Sequence, residues 1–220
     1  MAIETGATTE FSLITASGIE LQSNNENAGL DEAQSIKASG GINDFYVYNK
    51  RNEPQAEYEV GINDSASAAQ VSVDIGGMDG SIMIVGCSVT QGNQQYPKIS
   101  LTGFNPETGT PVGTSKYTFV VPGLYFGAHT TMGALSAATN LQNVTIAASA
   151  LNRIEYRDGD GEHAESKIEA VRIDVNGSLI AATAPTITDL WQGQVWAASE
   201  NQGYKVFNFR AFKLESCSGV

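Results

Sequence analysis

The chain has 220 residues, with 24 Asp and Glu against 12 Lys and Arg, a net charge of −12 and a pI near 4.5. So acidic a chain repels nucleic-acid phosphates, and no run of Lys or Arg offers a binding stripe. No stretch of about 18 apolar residues exists to span a membrane, and the start MAIETGATTEF lacks the basic and apolar regions of a Sec signal peptide.

One domain is expected over residues 1–220, a length that can bury a substantial core. Residues 1–40 read as a polar, acidic arm or loop, centred on TASGIELQSNNENAGLDE. Within it LDEAQSIKA (30–38) has the makings of two helical turns, with Asp31 suiting the positive end of the dipole. From there the dominant period is two. FSLITAS, DFYVYNK, AEYEVGI, QVSVDI, SIMIVGCSVTQ, KISLTGF, KYTFVVP, NVTIAASALNRIEYR, KIEAVRIDVNG and YKVFNFRAFKLE are the expected strands. Turn chemistry such as GGMDG, FNPETGTP, VPG and VNG separates them. GAHTTMGALSAATN (127–140) is a short helix or a loop. The fold class is therefore mainly β: an antiparallel sandwich or barrel, a long projecting hairpin, and at most one or two short helices.

Charge is distributed unevenly. Residues 65–152 carry only Asp74, Asp79, Glu107, Lys98 and Lys116, and are rich instead in Ser, Thr, Asn, Gln, Gly and Ala. Interface cores are depleted in charge, so this stretch points to an obligate assembly; a Ser/Thr/Asn-rich extracellular-type β surface is the plainer alternative. Trp191 and Trp196 read as core or interface packing before a ligand platform. The last strand has apolar residues at both parities, as expected of a strand covered on two faces. Cys87 and Cys217 are too few for a disulfide framework and read as reduced thiols.

The segment RDGDGEHAE (157–165) is the one stretch that looks like chemistry. Asp158, Asp160 and Glu162 take the first ligand positions of an EF-hand spacing, with Glu169 at the twelfth. His163 stands at the sixth, where the sharp turn wants glycine, and the flanks are β-like. The acids of a Gly-rich tip are expected to be solvated, which does not suit a general acid–base pair. No nucleophile–base, phosphate-loop or metalloprotease motif occurs, so neither enzymatic activity, a cofactor nor a metal is expected.

The better reading is a hairpin tip. If residues 143–176 pair antiparallel so that partner numbers add to 322, Arg157 faces Glu165, Glu155 faces Lys167 and Arg153 faces Glu169, all on one face. Ile154 then meets Ile168, and Asn152 meets Ala170, on the other. Such pairs set register more than they stabilise. The turn centres on Gly161, with a glycine ready for positive φ. The acidic tip of Asp158, Asp160 and Glu162 projects towards solvent or a partner.

TNLQNVTIAASALNRIEYRDGDGEHAESKIEAVRIDVNGSLI resembles phrases in structural proteins of tailed bacteriophages, and IMIVGCSVTQGNQQYPKISLTGFN has a similar texture. The similarity covers about 45 residues and is nearest in size and organisation to tail tube proteins. It implies a β-sandwich with a small helix and long hairpins. It also implies hexameric rings of copies of the chain stacked into a tube, other virion proteins as neighbours, and DNA as a non-specifically repelled cargo. No residue of that family's machinery maps onto this chain. A self-assembling virion protein, made in the host cytoplasm, is the leading expectation. A capsid decoration, adaptor or minor tail component is the next, and a glycan- or receptor-binding β module follows.

Overall fold

A computed structural model describes residues 11, 19–60, 71–92, 95–107, 111, 117–121 and 140–216. Two short apolar strands, β3 (Val71–Ile75) and β7 (Tyr117–Val121), pair antiparallel as a small sheet. The other nine build one large antiparallel sheet: β1 (Ile19–Ile36), β2 (Ile42–Val60), β4 (Met78–Asp79), β5 (Ile82–Gly92), β6 (Lys98–Pro106), β8 (Leu141–Arg157), β9 (His163–Ala181), β10 (Gln192–Asn201) and β11 (Tyr204–Ser216). Its order is β1-β2-β6-β5-β8-β9-β11-β10, with β4 pairing β5 off that path, and it does not close. No helix occurs among the described residues.

Period-two sequence explains the two faces. Tyr58, Ile99, Val89, Ile146, Val175 and Ala211 lie in one row across six adjacent strands. These side chains point into the core, where Val73 and Ile75 of β3 are fully buried with Met83, Ile84, Leu101 and Phe104. A second cluster, Leu141, Val144, Val175, Leu179, Phe207, Phe209 and Ala211, continues the core towards β11. One residue along each strand, the opposite row reads Glu59, Lys98, Thr90, Thr145, Asn176, Arg210 and Gln194. The charge-poor stretch 65–152 supplies β5, β6 and the start of β8 at the centre of this sheet. Among the described residues, its Thr90 and Thr145 stand in the open-face row.

Several expectations are corrected. Leu30–Ile36 belongs to β1, not to a helix, because each residue from Asp31 to Ser35 pairs with β2 between Tyr48 and Asp44. Nine residues make a marginal helix in isolation, and cross-strand pairing overrides it. The described part of the 1–40 arm is thus one side of a long hairpin. DFYVYNK and the AEYEV of the next expected strand are a single strand, β2. VNG (175–177) is not a turn: β9 runs through it, and a Cβ at Gly177 would collide with the Asn143 carbonyl and the Phe209 ring. The last strand buries Phe207, Phe209 and Ala211, but its other face leaves Arg210 and Leu214 exposed. FSLITAS beyond Phe11, the segment 127–139 and Cys217 lie outside the described residues. Phe11 itself is buried and accepts a hydrogen bond from the Tyr58 hydroxyl on its carbonyl, at 3.4 Å.

Candidate functional site

The hairpin of β8 and β9 extends further than 143–176, and its register runs one residue short of the expected one. From Asn143 to Tyr156, partner numbers add to 321, except at Asn152 and Ala170, which meet as expected. The tip pairs Arg157 with His163 and closes a five-residue loop. The shift has a physical cause in the apolar periodicity. His163, Ser166, Ile168, Val171, Ile173 and Val175 are all buried, yet they change parity twice. Bulges at Ala164 and around Glu169 absorb the two changes and keep this series facing the core.

The three expected cross-strand ion pairs are therefore absent. Glu165 opposes Tyr156, Lys167 opposes Ile154, and Arg153 opposes Ile168. The charges pair along strands instead: Arg153 to Glu155 at 2.6 Å, Arg157 to Glu155 at 3.9 Å, and Lys167 to Glu169 at 3.7 Å. Arg153, Glu155 and Arg157 share the core-side face, whereas Glu165 and Lys167 stand on the other. The Arg153 guanidinium lies 4.0 Å above the Phe104 ring and roofs the end of the core.

The tip does not stand free. It rests on the hairpin of β1 and β2. Asp158 folds back on its own loop, where Oδ1 accepts the backbone N–H groups of Asp160 (3.0 Å) and Glu162 (2.9 Å). Gly161 takes φ +83° and lies flat on Tyr48, as the sequence expected of a turn glycine. Glu162 accepts the Asn49 N–H at 3.2 Å, and the Asp160 carbonyl accepts the Tyr46 hydroxyl at 3.5 Å. Of the three tip acids, Asp158 shapes the turn, Glu162 docks it, and the Asp160 side chain points outward.

Asn49 makes this docking possible. It sits in a bulge of β2, where Gly29 pairs Arg51 but Asp31 pairs Tyr48, and it adopts φ +51°. Asparagine tolerates that left-handed region better than most residues. The bulge turns the Asn49 amide onto Asp31 at 2.8 Å and its N–H onto Glu162. Asp31 also takes Arg157 at 2.9 Å and Arg51 at 3.4 Å. Hydrogen bonds from Asn49 and Arg157 hold the Asp31 carboxyl below its ordinary range, with Arg51 adding to them. Sequence reasoning missed Asp31 and Asn49. An Asn beside charged residues halfway along a strand was the only local signal of the bulge.

His163 is the other surprise. It is 2% exposed, packs its ring 5.4 Å from Phe104, and neither nitrogen has a partner among the described residues. It follows the tip acids in sequence, and the bulge at Ala164 turns it inward.

Two further surfaces matter. Among the described residues the sheet has two unpaired edges, β1 over 18 residues and β10 over 10. On the open face near β10, a concavity of about 710 Å³ lies among Trp196, Asn208, Asn176, Arg210, Asp174 and Arg172. Arg172 clasps Asp174 with two bonds, at 2.7 and 2.8 Å, and covers Phe212 at 4.6 Å. That carboxylate raises the Arg172 pKa further. The two tryptophans divide: Trp191 packs against both core clusters, while Trp196 is 43% exposed. Cys87 is buried, which pushes its thiol pKa up to about 12 and leaves it chemically quiet. No protein-family model matches the chain, and no curated protein matches it.

Proposed function

We propose that the chain is a self-assembling structural subunit of a virion, of the tail-tube kind, whose copies join edge to edge into rings around a conduit. One observation carries this reading: among the described residues, the large sheet ends in two long strands, β1 and β10, each with a free edge. Such edges are templates for strand addition, and soluble monomers usually shorten, cover or interrupt them. Neither strand contains a proline.

Edge chemistry supports a head-to-tail join. β1 carries Glu20, Glu26, Asp31 and Glu32 and no base, so pairing β1 with a second β1 sets acid against acid. β10 carries a single acid, Glu200, and joining it to β1 of the next copy avoids that repulsion. A heterologous join of this kind closes into a ring when the rotation between copies allows it. The net charge of −12 suits a conduit along which DNA slides without sticking.

Negative-stain electron microscopy and light-scattering mass on the full chain test the proposal. Rings or tubes are expected. A strictly monomeric protein across the micromolar range would overturn it.

A further inference from the structure

We propose that the concavity on the open face is a binding groove for an acidic saccharide, a pyranose bearing a carboxylate. The inference stands apart from ring assembly.

The first argument is Trp196. A tryptophan 43% exposed on a sheet face leaves a large apolar plate in water. Stacking on the C–H face of a sugar ring covers such a plate without requiring a deep pocket. The second argument is the set of polar groups beside it. Trp196 pairs with Asn208, Asn208 with Ser178, and in the next row Gln194 pairs with Arg210 and Arg210 with Asn176. Neighbouring strands stand about 4.8 Å apart, and rows on one face about 7 Å apart. Asn208 and Arg210 therefore stand within about 9 Å of Trp196 along the sheet face, with Asn176 one strand further on.

These groups are unspent. Asn176, Asn208 and Arg210 make no side-chain hydrogen bond or ion pair among the described residues. Each amide offers both a donor and an acceptor, which matches the alternating demands of sugar hydroxyls. Most cations of the chain are already committed. Among the described residues only Arg210 and Lys37 lack an ion pair. Arg210 is exposed, and its planar fork fits a carboxylate with two parallel bonds.

Local charge points the same way. Arg172 and Asp174 neutralise each other, so Arg210 leaves the groove with one net positive charge on a chain of −12. The bidentate clasp also holds the floor rigid, which lowers the ordering cost of binding. A nucleic acid would need several free cations, and the groove has one.

Saturation-transfer difference NMR on the full-length protein tests this, with N-acetylneuraminic acid, glucuronic acid, glucose and acetate as probes. Ring protons of an acidic pyranose should receive saturation, with glucose and acetate binding at least tenfold more weakly. Trp196→Ala and Arg210→Gln should each weaken binding at least tenfold with an unchanged circular dichroism spectrum. Trp196→Phe, which keeps an aromatic plate, should retain most of it and covers the case in which Trp196→Ala fails to fold. No transfer from either acid, equal binding of glucose or acetate, or binding that survives Trp196→Ala would overturn the proposal. A monomer that binds the acidic sugar refutes the ring and leaves the groove standing.

Discussion

Asn49 shows how much one side chain can organise. Its left-handed backbone, its amide on Asp31 and its N–H on Glu162 hold the two hairpins together. Alanine at φ +51° costs about 1–2 kcal/mol in backbone strain alone and also loses the amide bond. Asn49→Ala should thus lower stability in urea by more than Asn49→Gly, which removes only the amide; equal losses would refute the backbone argument. Asp31 makes the same contact pH-dependent. Its folded pKa lies below the ordinary value, so its stabilisation is present above that value and disappears as pH falls through the lowered one. Stability in urea should fall as pH drops through that lowered value, and Asp31→Asn should flatten the dependence. Phe104 sits fully buried beneath Arg153 and beside His163. Phe104→Ala should cost about 3–5 kcal/mol, and a urea midpoint close to the parent's would contradict its place in the core. At this scale the turn glycine and the acidic tip were legible, because loop chemistry is local. Asp31 and His163 were not, because each acquires its role from a strand distant in sequence.

The elements were legible in proportion to their apolar alternation. β3, β5, β6, β7, β8, β9 and β11 all fall where period-two runs are found. β1 and β10 escaped because edge strands bury little: β10 is exposed at nearly every position, and β1 reads as acidic loop. Register was the harder matter. A single constant offset through β8 and β9 cannot keep Ile168 and Val171 on one face, and the bulges between them are the consequence. Close packing along β9 also explains why the VNG stretch is not a turn. Gly177→Ala should destabilise by about 1–3 kcal/mol through overpacking against Asn143 and Phe209. Gly159→Ala, at a site with nothing within 4 Å of the added carbon, should stay within about 0.5 kcal/mol of the parent. Paired urea titrations of the two variants measure the contrast.

At the scale of the whole molecule, the open sheet is the feature to explain. If β10 joins the acidic β1 of the next copy, Gln192→Glu with Ala198→Glu should hold the protein as a monomer without lowering its melting temperature, since both positions are exposed. Rings persisting in that variant on electron microscopy would move the interface elsewhere. By itself the sequence determined that the protein is an antiparallel β fold with a long hairpin ending in an acidic glycine-rich loop. Alternation and turn residues are local, and they read directly. Only the tertiary structure decided the strand order, the bulged register, the docking of the tip on Asn49 and Asp31, and which strands were left as edges. The docking depends on contacts between residues more than a hundred positions apart, such as Arg157 with Asp31, and the pairings on residues in different strands. Free energy there comes from which surfaces meet, and no run of neighbouring residues encodes that choice.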